Sequence, residues 1–291
     1  MALYIVTDAA CDLPKSFVDK QKDFCVIPMP YHLDGQEKMY TPYDGSDALH
    51  RFYDELRGGA VATTAQVSLT DYQRVFTDLV KDGHEVVYIC FTSGLSGTLQ
   101  TAELAKGMVL ESYPNARIYI LDSLCPSCGE GLLVYYALQK RDEGMNADEL
   151  VKWVLAHRQN IAHWFTVDDL DFLYRGGRVS RSSAFLGGML KIKPILNVNF
   201  EGKLIPQEKV AGRKRALKAL AEKYAELANP KTGQTVVIGH GDCLADAQYT
   251  ADAIRHLVPD VGEILFWPIG AVIGAHSGPG TVAVFFLCDN R

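Results

Sequence analysis

A short apolar run that passes through a hydroxyl- and glycine-rich turn into a helical pattern constrains this chain most. The run is Glu85–Cys90, EVVYIC, and the turn is Phe91–Thr98, FTSGLSGT; Leu99, Ala102, Leu104, Ala105 and Met108 then recur near helical spacing. A buried strand feeding a helix through a polar turn is the unit from which parallel sheets are built. The turn stands at a strand's C-terminal edge and a helix N-terminus, where unpaired backbone N–H groups and the positive end of the helix dipole meet. Such a place suits an anionic oxygen, of a phosphate or a carboxylate. Ordinary turn and capping chemistry is the competing reading.

The same grammar extends on both sides. Strands are expected at Leu3–Val6, Phe24–Met29, Glu85–Cys90 and Arg117–Leu121. Helices are expected at Asp47–Leu56, Thr70–Lys81 (capped by Ser68 or Thr70), Gly131–Arg141 and Ala147–Gln159, with another starting at Asp12-Leu13-Pro14 and capped by Asp12. This predicts an α/β fold whose N-terminal domain, residues 1–160, is an open parallel sheet flanked by helices. Its ligand crevice belongs at the strands' C-terminal ends. From about Ala162 the pattern changes to a strand Trp164–Val167 and a hairpin of Pro194–Val198 and Lys203–Pro206 around Glu201-Gly202. Helices Arg213–Leu227 and Ala245–His256 alternate with strands Thr235–Ile238, Glu263–Trp267 and Thr281–Cys288. Residues 161–291 therefore read as a C-terminal α/β domain with a mixed sheet.

Composition excludes several function classes. A hydrophobic fraction of 48% over 291 residues supports two packed cores. A formal net charge of −6 lacks the basic surplus of nucleic-acid binders. The apolar run TVAVFFLC is too short for stable membrane insertion, and Asp8 arrives too early for a secretory signal, so a cytoplasmic location is expected. The odd count of seven cysteines points to reduced, mostly buried thiols. Cys125-Pro126-Ser127-Cys128 sits where a redox pair could, between a strand and a helix, but no second pair completes a metal site. Incidental turn cysteines and no bound metal are the expectation.

Three polar clusters call for one explanation: Thr63–Ser68, Thr92–Thr98, and the glycine-rich Ile269–Gly280 around His276. The third can also be a glycine-rich turn between strands, with His276 capping a carbonyl. None matches a phosphate loop or a dinucleotide fingerprint, so no nucleotide cofactor is expected. A serine-dependent acyl-ester hydrolase using Ser93 or Ser96 with His276 is the alternative function. The nucleophile-elbow spacing is absent, however, and no acid is marked out as a partner.

Across nearly the whole chain, these pieces in their order resemble the DegV family of bacterial fatty-acid-binding proteins. The matching residues are Val6-Thr7-Asp8 with Asp12-Leu13-Pro14, Thr63–Ser68, Thr92–Thr98, Asp122-Ser123 with Gly129 and Gly131, Leu170–Val179, Lys193–Leu196, and Gly274-Ala275-His276. The resemblance implies two α/β domains around one long-chain fatty acid. It also implies a non-enzymatic role with no catalytic residue: the protein presents the acid to a separate fatty acid kinase, whose product feeds phospholipid synthesis. Carried over by position, Ser93 with the Gly94 backbone, Thr63 or Thr64, and His276 would hold the carboxylate, with Ser96 beside them. Phe165, Phe172, Leu186, Met189, Leu190 and Ile192 would line the tail pocket, and Arg178, Arg213 and Arg215 would face the kinase.

The chemistry is consistent with this set, because a carboxylate leaving water needs several donors. Burying about 14 methylenes contributes roughly 11 kcal/mol before ordering costs. The chain departs from the usual pattern at Ala9, at Val67 where proline is common, and at Ala211 where a basic residue is common. The change at Ala211 bears on kinase docking more than on lipid binding.

Overall fold

The computed structural model describes residues 2–42, 47–180 and 192–291. In chain order the strands are β1 (Leu3–Asp8), β2 (Phe24–Ile27), β3 (Met29–Leu33), β4 (Gln36–Tyr40), β5 (Ala62–Thr64), β6 (Glu85–Cys90) and β7 (Ile118–Asp122). They continue as β8 (Ile161–Thr166), β9 (Ile192–Val198), β10 (Leu204–Ala211), β11 (Val236–His240), β12 (Ile264–Pro268) and β13 (Val282–Leu287). The helices are α1 (Lys15–Val18), α2 (Asp47–Arg57), α3 (Leu69–Lys81), α4 (Thr98–Ser112) and α5 (Cys128–Asp142). After them come α6 (Ala147–His157), α7 (Asp171–Arg175), α8 (Arg213–Leu227), α9 (Leu244–Leu257) and α10 (Ala271–Ser277).

The four-stranded N-terminal sheet has the order β2-β1-β6-β7 and is parallel throughout. Val86 to Cys90 of β6 are all buried, as befits a central strand covered on both faces. Helix α3 covers it with Tyr72, Phe76 and Val80, one residue per turn, and starts where Ser68 Oγ accepts the Asp71 amide at 3.1 Å. The six-stranded C-terminal sheet has the order β10-β9-β8-β13-β11-β12 and is mixed: only β11 and β12 run parallel. Helix α8 packs there through Ala216, Leu217, Leu220, Ala221 and Tyr224.

Helix α5 joins the two sheets. It contacts β1 and β6 on one side and β8, β11 and β13 on the other. Leu132, Leu133 and Val134 are fully buried in a core cluster that runs from Ile5 and Val87 to Val237 and Phe285.

Three local expectations are corrected. Phe24–Met29 is two strands, broken at Pro28, and the second enters an antiparallel three-stranded sheet of order β4-β3-β5. Asp34 and Gly35 turn that hairpin with φ of 47° and 78°, the geometry an Asp-Gly pair favours. Asp12 does not cap a helix: Asp8 accepts the Ala10 amide at 3.1 Å to cap a short 3-10 turn, Ala9–Cys11. The Asp12 carboxylate instead accepts Ser127 Oγ at 2.6 Å and the Gly270 amide at 2.9 Å. Finally, Ile269–Gly280 is not a plain turn, since it contains α10.

Candidate functional site

Three elements converge beside the β6–α4 turn. β5 delivers Thr64 at the edge of the small sheet, α10 delivers His276 in its last turn, and the segment after α7 delivers Arg178. α10 packs on both β5 and α7, which brings the three together. His276 Nε2 lies 2.7 Å from Thr64 Oγ1. Arg178 Nε donates to the Leu95 carbonyl at 3.3 Å, one residue before Ser96, and Nη1 donates to the Gly176 carbonyl.

These groups border a cavity whose wall is otherwise mostly apolar, with Met29, Leu95, Phe165, Leu204, Ile273 and Phe285 among its residues. The cavity volume is about 120 Å³. Thr64, Gln66, Ser96, Arg178 and His276 form its polar margin, and Ser127, His163, Ser277 and Thr281 also reach the wall.

The electrostatics are one-sided. Arg178 is half-buried and has no carboxylate partner among the described residues. Burial, followed by the charge of Arg178, pushes the His276 imidazole down to about 4, so it is neutral at pH 7. Behind the wall, burial pushes the Asp12 carboxyl up to about 7. Burial also raises Asp8 and, with the nearby charge of Asp8, raises Glu130 well above the usual carboxylate range.

The other sequence-derived candidates fall elsewhere. Thr63 is exposed and pairs with His32 in the strand ladder. Ser93 turns from the cavity toward Asp122: its amide donates at 3.1 Å and its hydroxyl at 2.5 Å. Gly94 lies under the β9–β10 hairpin tip, where a Cβ would overlap the Glu201 and Gly202 backbone. Ser96 does border the cavity, and its hydroxyl lies 2.8 Å from Thr98 Oγ1. Neither serine is hydrogen-bonded to His276, so the hydrolase dyad is not assembled.

Phe165 lines the cavity, whereas Phe172 packs on Gly278 and under Arg175, whose guanidinium is 4.6 Å from the ring centroid. Ile192 opens β9 and is not among the lining residues, and Leu186, Met189 and Leu190 lie outside the described residues. Arg213 is held by Asp246 at 2.8 Å and by the Gly280 carbonyl at 2.6 Å, while Arg215, two residues on, is exposed. Leu95 and Leu204 as wall residues, and the place of Arg178 on the cavity, are not legible in the sequence, because only the fold shows that these segments meet.

All seven cysteines are free thiols. Burial pushes Cys125 and Cys128 up, the opposite of what an activated redox thiol needs. His50, Asp54 and Asp242 form the one trio of metal-ligating type found within 4.8 Å among the described residues. Arg57 already pairs with both of its carboxylates, Asp242 at 2.6 Å and Asp54 at 2.8 Å. Among the described residues, no helix is long and apolar enough to cross a membrane.

Known proteins share this architecture. A DegV domain-containing protein of Clostridium perfringens is 42% identical over 288 residues, covering 99% of this chain and 98% of that protein. The solved structure of a fatty acid binding DegV family protein from Streptococcus agalactiae superposes with a TM-score of 0.85 at 30% identity, covering 100% of both chains. DegV of Bacillus subtilis, a fatty acid binding protein, matches with a TM-score of 0.83 at 26% identity over 99% of this chain and 100% of that one. The family model for DegV, an uncharacterised protein family, matches residues 2–289, and with that span the chain belongs to the DegV family.

Proposed function

We propose that this protein binds one long-chain fatty acid, with the tail in the apolar cavity and the carboxylate among Thr64, Ser96, Arg178 and His276. The observation that carries the reading is a guanidinium with no acidic partner among the described residues, at the polar margin of a mostly apolar cavity. A ligand anionic at one end and apolar along its length satisfies both features, and the charge-assisted bond to arginine is the strongest single polar contact offered. Two relatives with the same fold are fatty acid binding proteins, which supports the same reading here.

Thr63, Ser93 and Gly94 take a supporting place in this reading, since each is engaged elsewhere. Binding requires no bond to be made or broken, so no catalytic residue, metal or cofactor is called for. The polar margin would present the carboxylate to a separate fatty acid kinase, with exposed Arg215 as a contact candidate. Residues 1–160 and 161–291 would act as two domains meeting at the cavity.

Native mass spectrometry of the purified protein, followed by organic extraction, tests the reading. A stoichiometric long-chain fatty acid is expected. A ligand-free mass that takes up no added palmitate or oleate would overturn it.

A further inference from the structure

We propose that Gly176 and His276 are positioning residues that fix the Thr64 hydroxyl as a hydrogen-bond donor into the cavity, so that the site selects a head group that accepts. This inference rests on the fatty-acid reading and deepens it. His276 Nε2 is 2.7 Å from Thr64 Oγ1, whereas its buried Nδ1 has no hydrogen-bond partner. What faces Nδ1 is the Cα of Gly176, where an added Cβ would overlap the nitrogen. Gly176 has φ of −69°, an ordinary helical value, so the backbone does not require glycine at this position. The imidazole does.

That packing decides the tautomer. A bare ring nitrogen tolerates a C–H directed at it, but an N–H there would set hydrogen against hydrogen and remain a buried, unpaired donor. The proton therefore sits on Nε2, which donates to Thr64 Oγ1. Arg178, two residues beyond Gly176, disfavours a second proton on the ring. With its oxygen already accepting, the Thr64 hydroxyl directs its own proton into the cavity beside the Arg178 guanidinium. A carboxylate accepts from both. A fatty alcohol can accept but brings no charge, and a fatty amine at neutral pH brings only donors and a repelled cation.

The test is nitrogen-15 NMR of the imidazoles in the ligand-free protein, with His276 assigned through His276→Gln, alongside palmitate titration. The expected wild-type signal at pH 7 is the neutral tautomer protonated at Nε2. Gly176→Ala should displace the ring, mix or lose that signal, and weaken palmitate binding at least tenfold. Gly177→Ala is the control: its φ of +71° strains a side chain, but no neighbour lies within 4 Å. It should lower Tm while leaving the tautomer and the Kd unchanged. An Nδ1-protonated ring in the wild type, or Gly176→Ala keeping both tautomer and affinity, would overturn the proposal. If the wild type shows the expected tautomer but takes up no palmitate, the fatty-acid reading fails while the role of Gly176 and His276 in orienting Thr64 holds.

Discussion

Replacing Arg178 with glutamine keeps two hydrogen-bond donors at the cavity margin and removes the charge. In a site with an effective dielectric of about 20, a carboxylate 4 Å from the guanidinium is worth about 4 kcal/mol. Arg178 is only half-buried, so solvent screening roughly halves that figure. The expected loss is about 2 kcal/mol, near thirtyfold in Kd for palmitate. Isothermal titration at two salt concentrations would measure it, with cetyl alcohol as the uncharged ligand of equal length. Wild-type affinity for the acid should fall with salt, and the variant's should fall less, because the mouth lies within a Debye length of solvent ions. Cetyl alcohol should bind both proteins equally. The variant should also let His276 titrate above its value of about 4, since one of the two forces holding it down is gone. An unchanged Kd for palmitate, or an equal loss for acid and alcohol, would refute the electrostatic argument.

Two further substitutions probe the frame of the site. Asp12 titrates at about 7 when folded and near 3.8 when unfolded, so the native state holds the extra proton between those values. Its stabilising contribution is therefore full below pH 3.8 and lost as pH rises toward and through 7. Asp12→Asn, at a position whose φ of 52° suits asparagine, should gain up to about 4 kcal/mol relative to wild type between pH 4 and 8. Urea midpoints that move in parallel for the two proteins across that range would contradict this. Gly202 has φ of +73°, and a Cβ there would overlap Thr92 Oγ1, which donates to the Gly202 carbonyl at 3.1 Å. Gly202→Ala should cost on the order of 2 kcal/mol and speed fatty acid release, read by chemical denaturation and stopped-flow exchange; unchanged values in both would mean the hairpin tip does not restrain the β6–α4 turn.

Long, strongly periodic segments were legible in the sequence. The strand Glu85–Cys90 and the helix Arg213–Leu227 have the bounds their patterns imply, because burial on both faces and on one face leave distinct signatures. The hairpin Met29–Tyr40 is poorly legible, although Asp34-Gly35 is a strong turn signal, because its outer strand is mostly exposed and carries little apolar alternation. Helix α10 is obscured by the glycines in and around it; the one inside it, Gly274, packs closely against Tyr53 and Phe52. Thr64, Ser96 and His276 were legible as residue types in polar turns. That Ser93 turns to Asp122, and that Arg178 reaches the cavity, depends on side-chain directions set by distant segments.

Helix α5 has a mechanical consequence. Leu132, Leu133, Val134, Ala137 and Leu138 are no more than 2% exposed between the two sheets. Baring even three or four large apolar side chains costs about 1.5–3 kcal/mol each, which approaches the whole stability of an ordinary domain. The halves of this molecule therefore do not swing apart to admit a guest. A guest of the cavity would therefore have to enter at its polar margin, beside Thr64, Ser96, Arg178 and His276, with the two sheets kept together on α5.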